Sequence, residues 1–405
     1  MTVQDICARP SEAAPTALAL TPIIVALACG GFGIGVGEFA ITGLLPEVAA
    51  GFHASVPDAG YVITAYAAGV VVGAPLIAIA ATRLSRRFLL LILMAVFTLG
   101  NLASAVAPNL ASLIAIRFLT GLPHGAYFGV AALVAASLVP LDRRTRTVGY
   151  VMLGLTLATL LGTPVMAFFG EMLSWRLMFF VDGLIGALTA LLTWIYLPRD
   201  RPALESGVLR ELIAFTRPQV LLTLLMAATG FGGMFSIFSY IAATATDYAH
   251  MPVAMVPVIL MLFGLGMNAG NLIGSRLADV SLMGTIGGMM AVNIVVMTGF
   301  GLTASSPVAL CVAAFLLGTG FAAAPSVQSR LMDVAREGQT MAAASMHSAF
   351  NIANALGAWL GGRVIAHGFG YPATGYVGAL LSLFGLCVFA VSYGLERRSA
   401  TRAGG

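Results

Sequence analysis

Long apolar runs alternate with short polar segments along the whole chain. Twelve such runs fall near residues 18–49, 60–81, 88–107, 110–139, 147–170, 177–197, 219–246, 253–275, 284–304, 308–329, 340–366 and 372–395. A helix crosses a bilayer with about 20 apolar residues, and only helices satisfy the backbone groups of so many spans internally. The pattern predicts an all-α membrane protein with twelve transmembrane helices.

Several positions of the first half recur 197 residues later. The pairs are Gly69 and Gly266, Gly73 and Gly270, Phe118 and Phe315, and Gly121 and Gly318. In a chain with 47 glycines the alternative is coincidence. The repeat predicts two six-helix pseudo-symmetric halves, residues 1–197 and 219–405, joined by a cytoplasmic linker at 198–218. Such a duplication places a site near mid-membrane, between the halves.

All basic residues are arginines, and their positions predict the orientation. If the N-terminus is cytoplasmic, seventeen of the 20 arginines lie at cytoplasmic ends, whereas Arg176 and Arg363 lie outside and Arg117 lies within a span. Cytoplasmic loops of membrane proteins carry an excess of such charges. We therefore expect a multi-pass membrane protein with both termini in the cytoplasm.

The composition excludes several classes of function. Only 9% of the residues are charged, against about 25% in soluble domains, so no soluble domain is expected. The absence of lysine from the sequence excludes a Walker-type phosphate loop and Schiff-base chemistry. The four scattered cysteines indicate neither a disulfide framework nor a metal site. We expect no enzyme activity, no cofactor, no metal and no nucleic-acid partner.

The first run contains one deeply placed acid. Glu38 has only glycine and apolar neighbours, and Glu47, the other charge of the run, lies near its end. A charge near mid-bilayer costs about 2.5–3.5 kcal/mol on insertion scales, so it usually faces a partner or a water-filled path. Burial favours the protonated form of an acid, as a proton carrier requires. We interpret Glu38 as the carrier of a coupling proton; the alternative is a neutral acid bonded to a backbone carbonyl.

The fourth run contains an arginine at a similar depth. Counted inward from the outer ends, Arg117 lies about 12 Å deep and Glu38 about 16 Å deep, so their side chains can interact. His124 shares the helix face of Arg117 and is a candidate for proton or substrate binding. The alternatives are an Arg117 that bonds only backbone carbonyls and a His124 that only occupies a helix kink. Asp182 of the sixth run is expected to be a satisfied polar group near Arg176.

Four motifs carry a resemblance to a known family. They are Gly162-Thr163-Pro164 with Trp175-Arg176, Arg117 followed by Gly121, Gly37-Glu38-Phe39 with Gly43-Leu44-Leu45-Pro46, and the stretch from Phe350 to Gly362. With these motifs the chain resembles the major facilitator superfamily, specifically its twelve-span drug:proton antiporters and their branch of arabinose, nucleoside and chloramphenicol exporters. The resemblance covers nearly the whole chain and implies the major facilitator fold, a place in a bacterial inner (plasma) membrane and transport by alternating access.

One motif of that family is degenerate in this chain. The family's loop between helices two and three usually reads Gly-x-x-x-Asp-Arg-x-Gly-Arg-Arg, and here Thr82 takes the place of the Asp. Asp279, in the corresponding loop of the second half, is expected to substitute in part. The resemblance implies a role in conformational change for Arg83, Arg86, Arg87, Gly162, Pro164 and Asp279.

In the resembled fold, helices one, four, seven and ten line the cavity. The residues expected at the substrate are Phe32, Phe39, Tyr127, Phe128, Phe231, Phe235, Tyr240 and Phe321, together with His347 and Asn351 on a polar stripe of the eleventh run. Aromatic walls with few polar groups suit lipophilic molecules better than sugars, whose unpaired hydroxyls are costly to bury. The alternative for the stripe is contact between helices.

These inferences predict a proton-coupled efflux transporter, an antiporter that exports small, lipophilic, drug-like or metabolite molecules and so confers resistance to antibiotics. Glu38, Arg117 and His124 are the expected proton-coupling residues. The expected partners are the substrate, protons and the lipid bilayer, with the chain acting as a monomer. The alternatives are a sugar or nucleoside exporter and an uptake symporter of the same fold. No catalytic cluster supports an enzyme.

Overall fold

A computed structural model of the chain describes residues 17–54, 56–81, 84–199, 213 and 216–403. Within these residues the regular structure is helical, without a strand, and twelve long segments follow one another. They are α1 Ala17–Gly43, α2 Val56–Ala81, α3 Arg86–Ala105, α4 Leu110–Ser137, α5 Arg144–Leu157 continued by Thr163–Met172, α6 Trp175–Tyr196, α7 Pro218–Phe238, α8 Val256–Val280, α9 Leu282–Thr303, α10 Pro307–Thr319 continued by Ala323–Ala335, α11 Gln339–Ala366 and α12 Ala373–Ala403. Shorter helices lie at Leu45–Gly51 and Ile241–Ala243.

Ten segments of the described chain are long and apolar enough to cross a membrane. The other two long helices are α2 and α11, with 26 and 28 residues. At 1.5 Å per residue they reach about 40 Å, more than the hydrocarbon core of about 30 Å. Polar residues such as His347 and Asn351 interrupt the apolar run of α11. The predicted all-α fold with twelve membrane helices is confirmed.

The predicted repeat is visible where helices cross. A Cβ atom added to Gly69 of α2 would overlap the carbonyl of Phe118 in α4, and one added to Gly266 of α8 would overlap the carbonyl of Phe315 in α10. Small residues at such points allow the backbones of membrane helices to touch. The same contact therefore occurs in both halves, 197 residues apart, and confirms their pseudo-symmetry.

Two helices change their winding near mid-span. α5 contains a π turn over Ala158–Gly162, directly before Pro164, and α10 contains a 3₁₀ turn over Gly320–Ala322. Proline removes a backbone donor from the helix, and single π turns occur frequently at functional sites. Each turn changes the direction in which the following side chains point.

The first six and the last six helices meet along two surfaces. α11 packs on α2 and α4, and α5 packs on α8. Gly125 and Gly129 of α4 face Ala344 of α11, and Gly149 of α5 faces Ser275 of α8. Small residues again allow close approach. The candidate site lies where α1, α2, α4, α6 and α11 come together.

Part of the predicted organisation lies outside the described residues. This applies to Thr82, to Arg83 and to most of the linker at 198–218. The linker and the boundaries of the halves therefore stay predictions.

Candidate functional site

Glu38 of α1 is the acid around which the site is built. Arg117 lies within electrostatic reach of its carboxylate, and the side chain of Asn351 approaches it from α11. Glu38 Oε2 is buried and has no hydrogen-bond partner among the described residues, although the residue as a whole is partly accessible. Glu38 thus lies between a cation of the N-terminal helices and an amide of the C-terminal helices.

Arg117 of α4 is the cation of the site, and its side chain is fully buried. Its Nη2 donates to the carbonyl oxygen of Gly37 at 2.6 Å. Its Cζ atom lies 4.1 Å from the ring centroid of Tyr66 and 5.4 Å from that of Phe179. Aromatic faces attract a guanidinium, which stays charged in proteins. Within the described chain Nε and Nη1 have no partner, so two donors remain for a carboxylate.

The structure adds a second acid to this cluster. Asp182 of α6 is 0% exposed, and neither of its carboxylate oxygens has a hydrogen-bond partner among the described residues. It packs against Gly33 and Gly37 of α1 and lies within electrostatic reach of Arg117. The prediction of a satisfied polar group near Arg176 is wrong, because the Arg176 side chain donates instead to two backbone carbonyls at the end of α3.

A chain of close polar contacts leads from this cluster to the C-terminal helices. The Tyr66 hydroxyl lies 3.1 Å from Nδ1 of His124, and Nε2 of His124 lies 3.2 Å from Nδ1 of His347. The His347 ring also stacks on Phe128, with the centroids 4.2 Å apart. All four side chains are buried. A neutral imidazole has one donor and one acceptor. His124 therefore donates at one ring nitrogen and accepts at the other, so the two hydrogen bonds from Tyr66 through His124 to His347 run in the same direction.

The C-terminal side of the site is aromatic. The ring of Phe350 in α11 contacts three other rings. Its centroid lies 5.5 Å from the ring centroid of Phe231, 5.0 Å from that of Phe235 and 5.9 Å from that of Phe321. All four rings are buried. A small cavity between α1 and this cluster is lined by Phe39, Phe235 and Phe350, among others. Four of the residues expected at the substrate therefore come together here, and Phe350 joins them.

Three other residues expected at the substrate make contacts that hold helices together. The Tyr127 hydroxyl donates to a backbone carbonyl of α1 at 2.8 Å. The Tyr240 hydroxyl, beyond the end of α7, donates to a backbone carbonyl of α11 at 2.7 Å. Phe32 packs beside Gly162 of α5. A role for these three at the substrate stays a prediction.

The ends predicted to be cytoplasmic are joined by ion pairs. Asp279 in the last turn of α8 accepts the backbone N–H of Arg146 at 3.1 Å, and its other oxygen lies 3.1 Å from the Nε atom of the same arginine. The Nη1 atom of Arg144 lies 3.8 Å from the Oδ1 atom of Asp333 in α10. These contacts tie the start of α5 to α8 and α10.

The remaining motif residues lie at helix ends and breaks. Arg86 begins α3, and Arg87 donates to a backbone carbonyl at the end of α6 at 2.5 Å. Gly162 closes the π turn of α5, and Pro164 stands at the start of the second part of that helix. In the described contacts these four lie apart from the buried polar cluster of Glu38, Tyr66, Arg117, His124 and Asp182, and their role in conformational change stays a prediction.

The sequence interpretation misses Tyr66 altogether and misplaces Asp182. For Asp182, the sequence contains a signal that points to Arg117. Asp182 and Arg117 each lie seven residues from the start of their helix, at Trp175 and Leu110, and both starts are predicted to face the outside. At 1.5 Å per residue both are about 10 Å deep, and a cation in a span needs a partner at its own depth. Tyr66 leaves no such signal, because a tyrosine suits a helix interface as well as a buried network.

Comparison with known proteins gives matches over most of the chain. The profile of the Major Facilitator Superfamily matches residues 27–298. The inner membrane transport protein YdhP of Escherichia coli (strain K12) is 38% identical over 379 residues, which cover 93% of this chain and 97% of YdhP. The chloramphenicol resistance protein of Streptomyces lividans is 30% identical over 355 residues, which cover 86% of this chain and 88% of that protein.

A solved structure shares the fold. The proton:xylose symporter XylE superposes with a TM-score of 0.71 at 17% identity, over 91% of this chain and 96% of XylE. At that identity the likeness shows the fold alone. The twelve helices, the buried polar cluster and the matches in sequence lead to one conclusion: this chain belongs to the Major Facilitator Superfamily and is a multi-pass transporter of the inner membrane rather than an enzyme.

Proposed function

We propose that this transporter is a proton-coupled exporter, an antiporter that moves small lipophilic molecules outward in exchange for protons. The observation that carries the proposal is the intramembrane Glu38 beside the fully buried Arg117. An acid inside a membrane protein is by default a functional group. The relative named as a chloramphenicol resistance protein supports the export of drug-like molecules.

Glu38 supplies the proton-binding group of this exchange. Arg117 cannot release its proton at physiological pH, so Glu38 is the member of the pair that changes charge. When ionised, Glu38 accepts a hydrogen bond from a hydroxyl or amide of the substrate, and Asn351 offers a further donor beside it. Protonation neutralises the carboxylate and occupies one of its oxygens, so Glu38 becomes a much weaker acceptor for the substrate. Proton and substrate then exclude each other at one carboxylate, as antiport requires.

The aromatic cluster supports a lipophilic substrate. Phe39, Phe235 and Phe350 line the cavity next to α1, and their faces offer contact area without a requirement for hydrogen bonds. A sugar would leave hydroxyl groups unpaired against these rings. A molecule with one flat apolar part and one polar group fits both the rings and Glu38.

Alternating access follows from the contacts between the two sets of helices. The proposed halves, residues 1–197 and 219–405, rock along the surfaces where α11 meets α2 and α4 and where α5 meets α8. The pair Arg146–Asp279 holds the proposed cytoplasmic ends together in the state described here. Opening toward the cytoplasm requires this pair to separate. The chain is proposed to complete this cycle as a monomer.

Flux measured in proteoliposomes with an imposed pH gradient tests the proposal, with chloramphenicol and xylose as probes. An antiporter accumulates chloramphenicol when the lumen is acidic, because protons leave as the drug enters. A symporter accumulates its substrate when the outside is acidic. Accumulation of xylose instead of chloramphenicol would favour the sugar alternative. If the fluxes of both probes were the same with and without the pH gradient, proton coupling would be contradicted.

A further inference from the structure

The exchange proposed at Glu38 does not by itself account for Asp182. Its carboxylate is fully buried, and neither oxygen has a hydrogen-bond partner within the described chain. It packs against Gly37, whose carbonyl accepts a hydrogen bond from Arg117 and which directly precedes Glu38. An ionised carboxylate at such a place is costly unless a cation balances it. A buried acid so close to the proton site therefore needs a function.

The charged and titratable groups around Asp182 are few. Arg117 of α4 lies within electrostatic reach of Asp182, and Tyr66 of α2 lies within electrostatic reach of Asp182, Arg117 and Glu38 together. The other helices packed on α6 are α1, α3 and the second part of α5. The charges they carry are Glu38 in α1, Arg86 and Arg87 in the first turn of α3, and Glu171 in the last turn of α5.

One cation thus lies within reach of two acids. Arg117 interacts electrostatically with both Asp182 and Glu38 and has a hydrogen bond to neither among the described residues, since its Nε and Nη1 are unpartnered. If Glu38 were the counter-ion of Arg117, each protonation of Glu38 would leave an unbalanced cation in the membrane interior. A second, constant negative charge removes that difficulty.

We propose that Asp182 is the standing counter-ion of Arg117 and so allows Glu38 to bind and release the coupling proton. This inference rests on the proposed function of Glu38 and assigns to Asp182 the role of a positioning residue. With Asp182 ionised, protonated Glu38 leaves a neutral cluster. When the proton departs, the O–H bond of Glu38 breaks, and the cluster carries one negative charge, which the substrate's donor group faces.

The proposal predicts opposite effects for the two partners of the pair. Asp182→Asn leaves Arg117 with Glu38 as its only counter-ion, so Glu38 holds its ionised form more strongly and takes up a proton only in more acidic solution. Arg117→Gln removes the cation and has the opposite effect. The double variant Asp182→Asn/Arg117→Gln loses both charges, so its proton uptake returns toward that of the wild type.

Infrared titration of the full-length transporter in lipid measures this directly. Protonated carboxyls give a C=O band that carboxylates lack, and the band of Glu38 is the one that Glu38→Gln removes. We expect Asp182→Asn to move the pH midpoint of that band by about one to three pH units toward acid, the range typical of one nearby charge. Arg117→Gln moves it toward alkali, and the double variant falls between the two.

The outcomes separate the two proposals. If Glu38→Gln leaves every pH-dependent carboxyl band in place, the proposed function of Glu38 is wrong. If Glu38→Gln removes a band but Asp182→Asn leaves its midpoint unchanged, Glu38 titrates and the role of Asp182 is contradicted. Should Asp182→Asn not fold, the charge-balanced double variant decides: a midpoint as alkaline as that of Arg117→Gln alone would overturn the inference.

Discussion

The two sets of six helices carry different chemistry at equivalent positions. At the offset of 197 residues, Glu38 corresponds to Phe235, Tyr66 to Phe263, Arg117 to Ala314, His124 to Phe321 and Asp182 to Ala379. Each polar residue of the buried cluster is thus matched by an apolar one, whereas the glycine contacts between helices are the same in both sets. The two sets of helices therefore share their packing contacts but differ in the side chains that they present at the site.

This difference shows how a duplicated fold divides its tasks. Buried charges need one another close by and at fixed distances, and a set of helices that moves as one body provides this. Apolar molecules need rings, whose contacts tolerate small displacements. Within the described residues, the contacts between the two sets of helices at the site include those of His124 with His347 and of Glu38 with Asn351. Coupling between proton and substrate is expected to pass through them.

The largest expected effect comes from substituting Glu38, which we compare with a substitution of Phe235, its equivalent in the second set of helices. Glu38→Gln keeps the shape of the side chain and removes the titratable group, so pH-driven efflux should fall to background while expression is maintained. Phe235→Leu should keep the response to pH and weaken only substrate binding. Chloramphenicol flux in proteoliposomes measures both, with Glu47→Gln as a matched control. Full gradient-driven transport by Glu38→Gln would refute the division of tasks.

The next effect sharpens the charged side of the comparison. Arg117→Lys keeps the charge but loses the planar fork, so it cannot bind the Gly37 carbonyl and lie on the Tyr66 ring at once. We expect efflux to fall about tenfold, which equals about 1.4 kcal/mol.

Arg117→Ala removes the cation altogether. Because the cation favours ionised Glu38, the pH midpoint of substrate binding should move toward alkali in this variant. The measurement is chloramphenicol affinity against pH, and identical midpoints in wild type and Arg117→Ala would mean that Arg117 is structural.

A smaller effect is expected on the aromatic side. Phe350 contacts three other rings, and aromatic pairs contribute about 0.5–1.5 kcal/mol beyond their buried area. Phe350→Leu should weaken chloramphenicol binding about two- to tenfold without any shift in pH dependence. The exposed Phe369 offers the control Phe369→Leu. A changed pH midpoint in Phe350→Leu would show that the two chemistries are not separate.

The smallest effect concerns positions 82 and 279, which correspond at the same offset. Asp279→Asn removes the ion pair with Arg146, worth up to about 1 kcal/mol for a partly exposed pair. The cytoplasmic ends should then open about two- to fivefold more often. Alkylation of Ser275→Cys, which faces Gly149, reports this in a background without the native cysteines. Thr82→Asp should slow the same reaction by a similar factor; unchanged rates in both variants would rule out the latch.

Most of the fold could be predicted from the sequence because its determinants are local or periodic. Apolar runs of sufficient length define spans whatever their neighbours are. The glycines at 69 and 266 mark crossings because residues without a bulky side chain let two helix backbones touch. The similar depths of Arg117 and Glu38 follow from counting residues along two helices. These inferences need no knowledge of which helix faces which.

The remaining contacts of the site depend on which helix faces which, and the sequence does not contain this directly. Proximity in sequence suggests Arg176 as the partner of Asp182, yet the packing of α6 on α1 places Asp182 beside Gly33 and Gly37, and Arg176 bonds backbone carbonyls instead. Tyr66 joins His124 because α2 crosses α4 at the glycines. Helix rotation about its own axis decides each of these contacts, and no residue count determines that rotation.

The glycine crossings also bear on the order in which the helices assemble during synthesis. Gly69 joins α2 to α4, and Gly266 joins α8 to α10, so each crossing closes only after an intervening helix has left the ribosome. N-terminal units generally fold first during synthesis. Glu38, Arg117 and Asp182 all lie in the first six helices, so we expect these charges to meet in the bilayer while the helices that carry the phenylalanine cluster are still being translated.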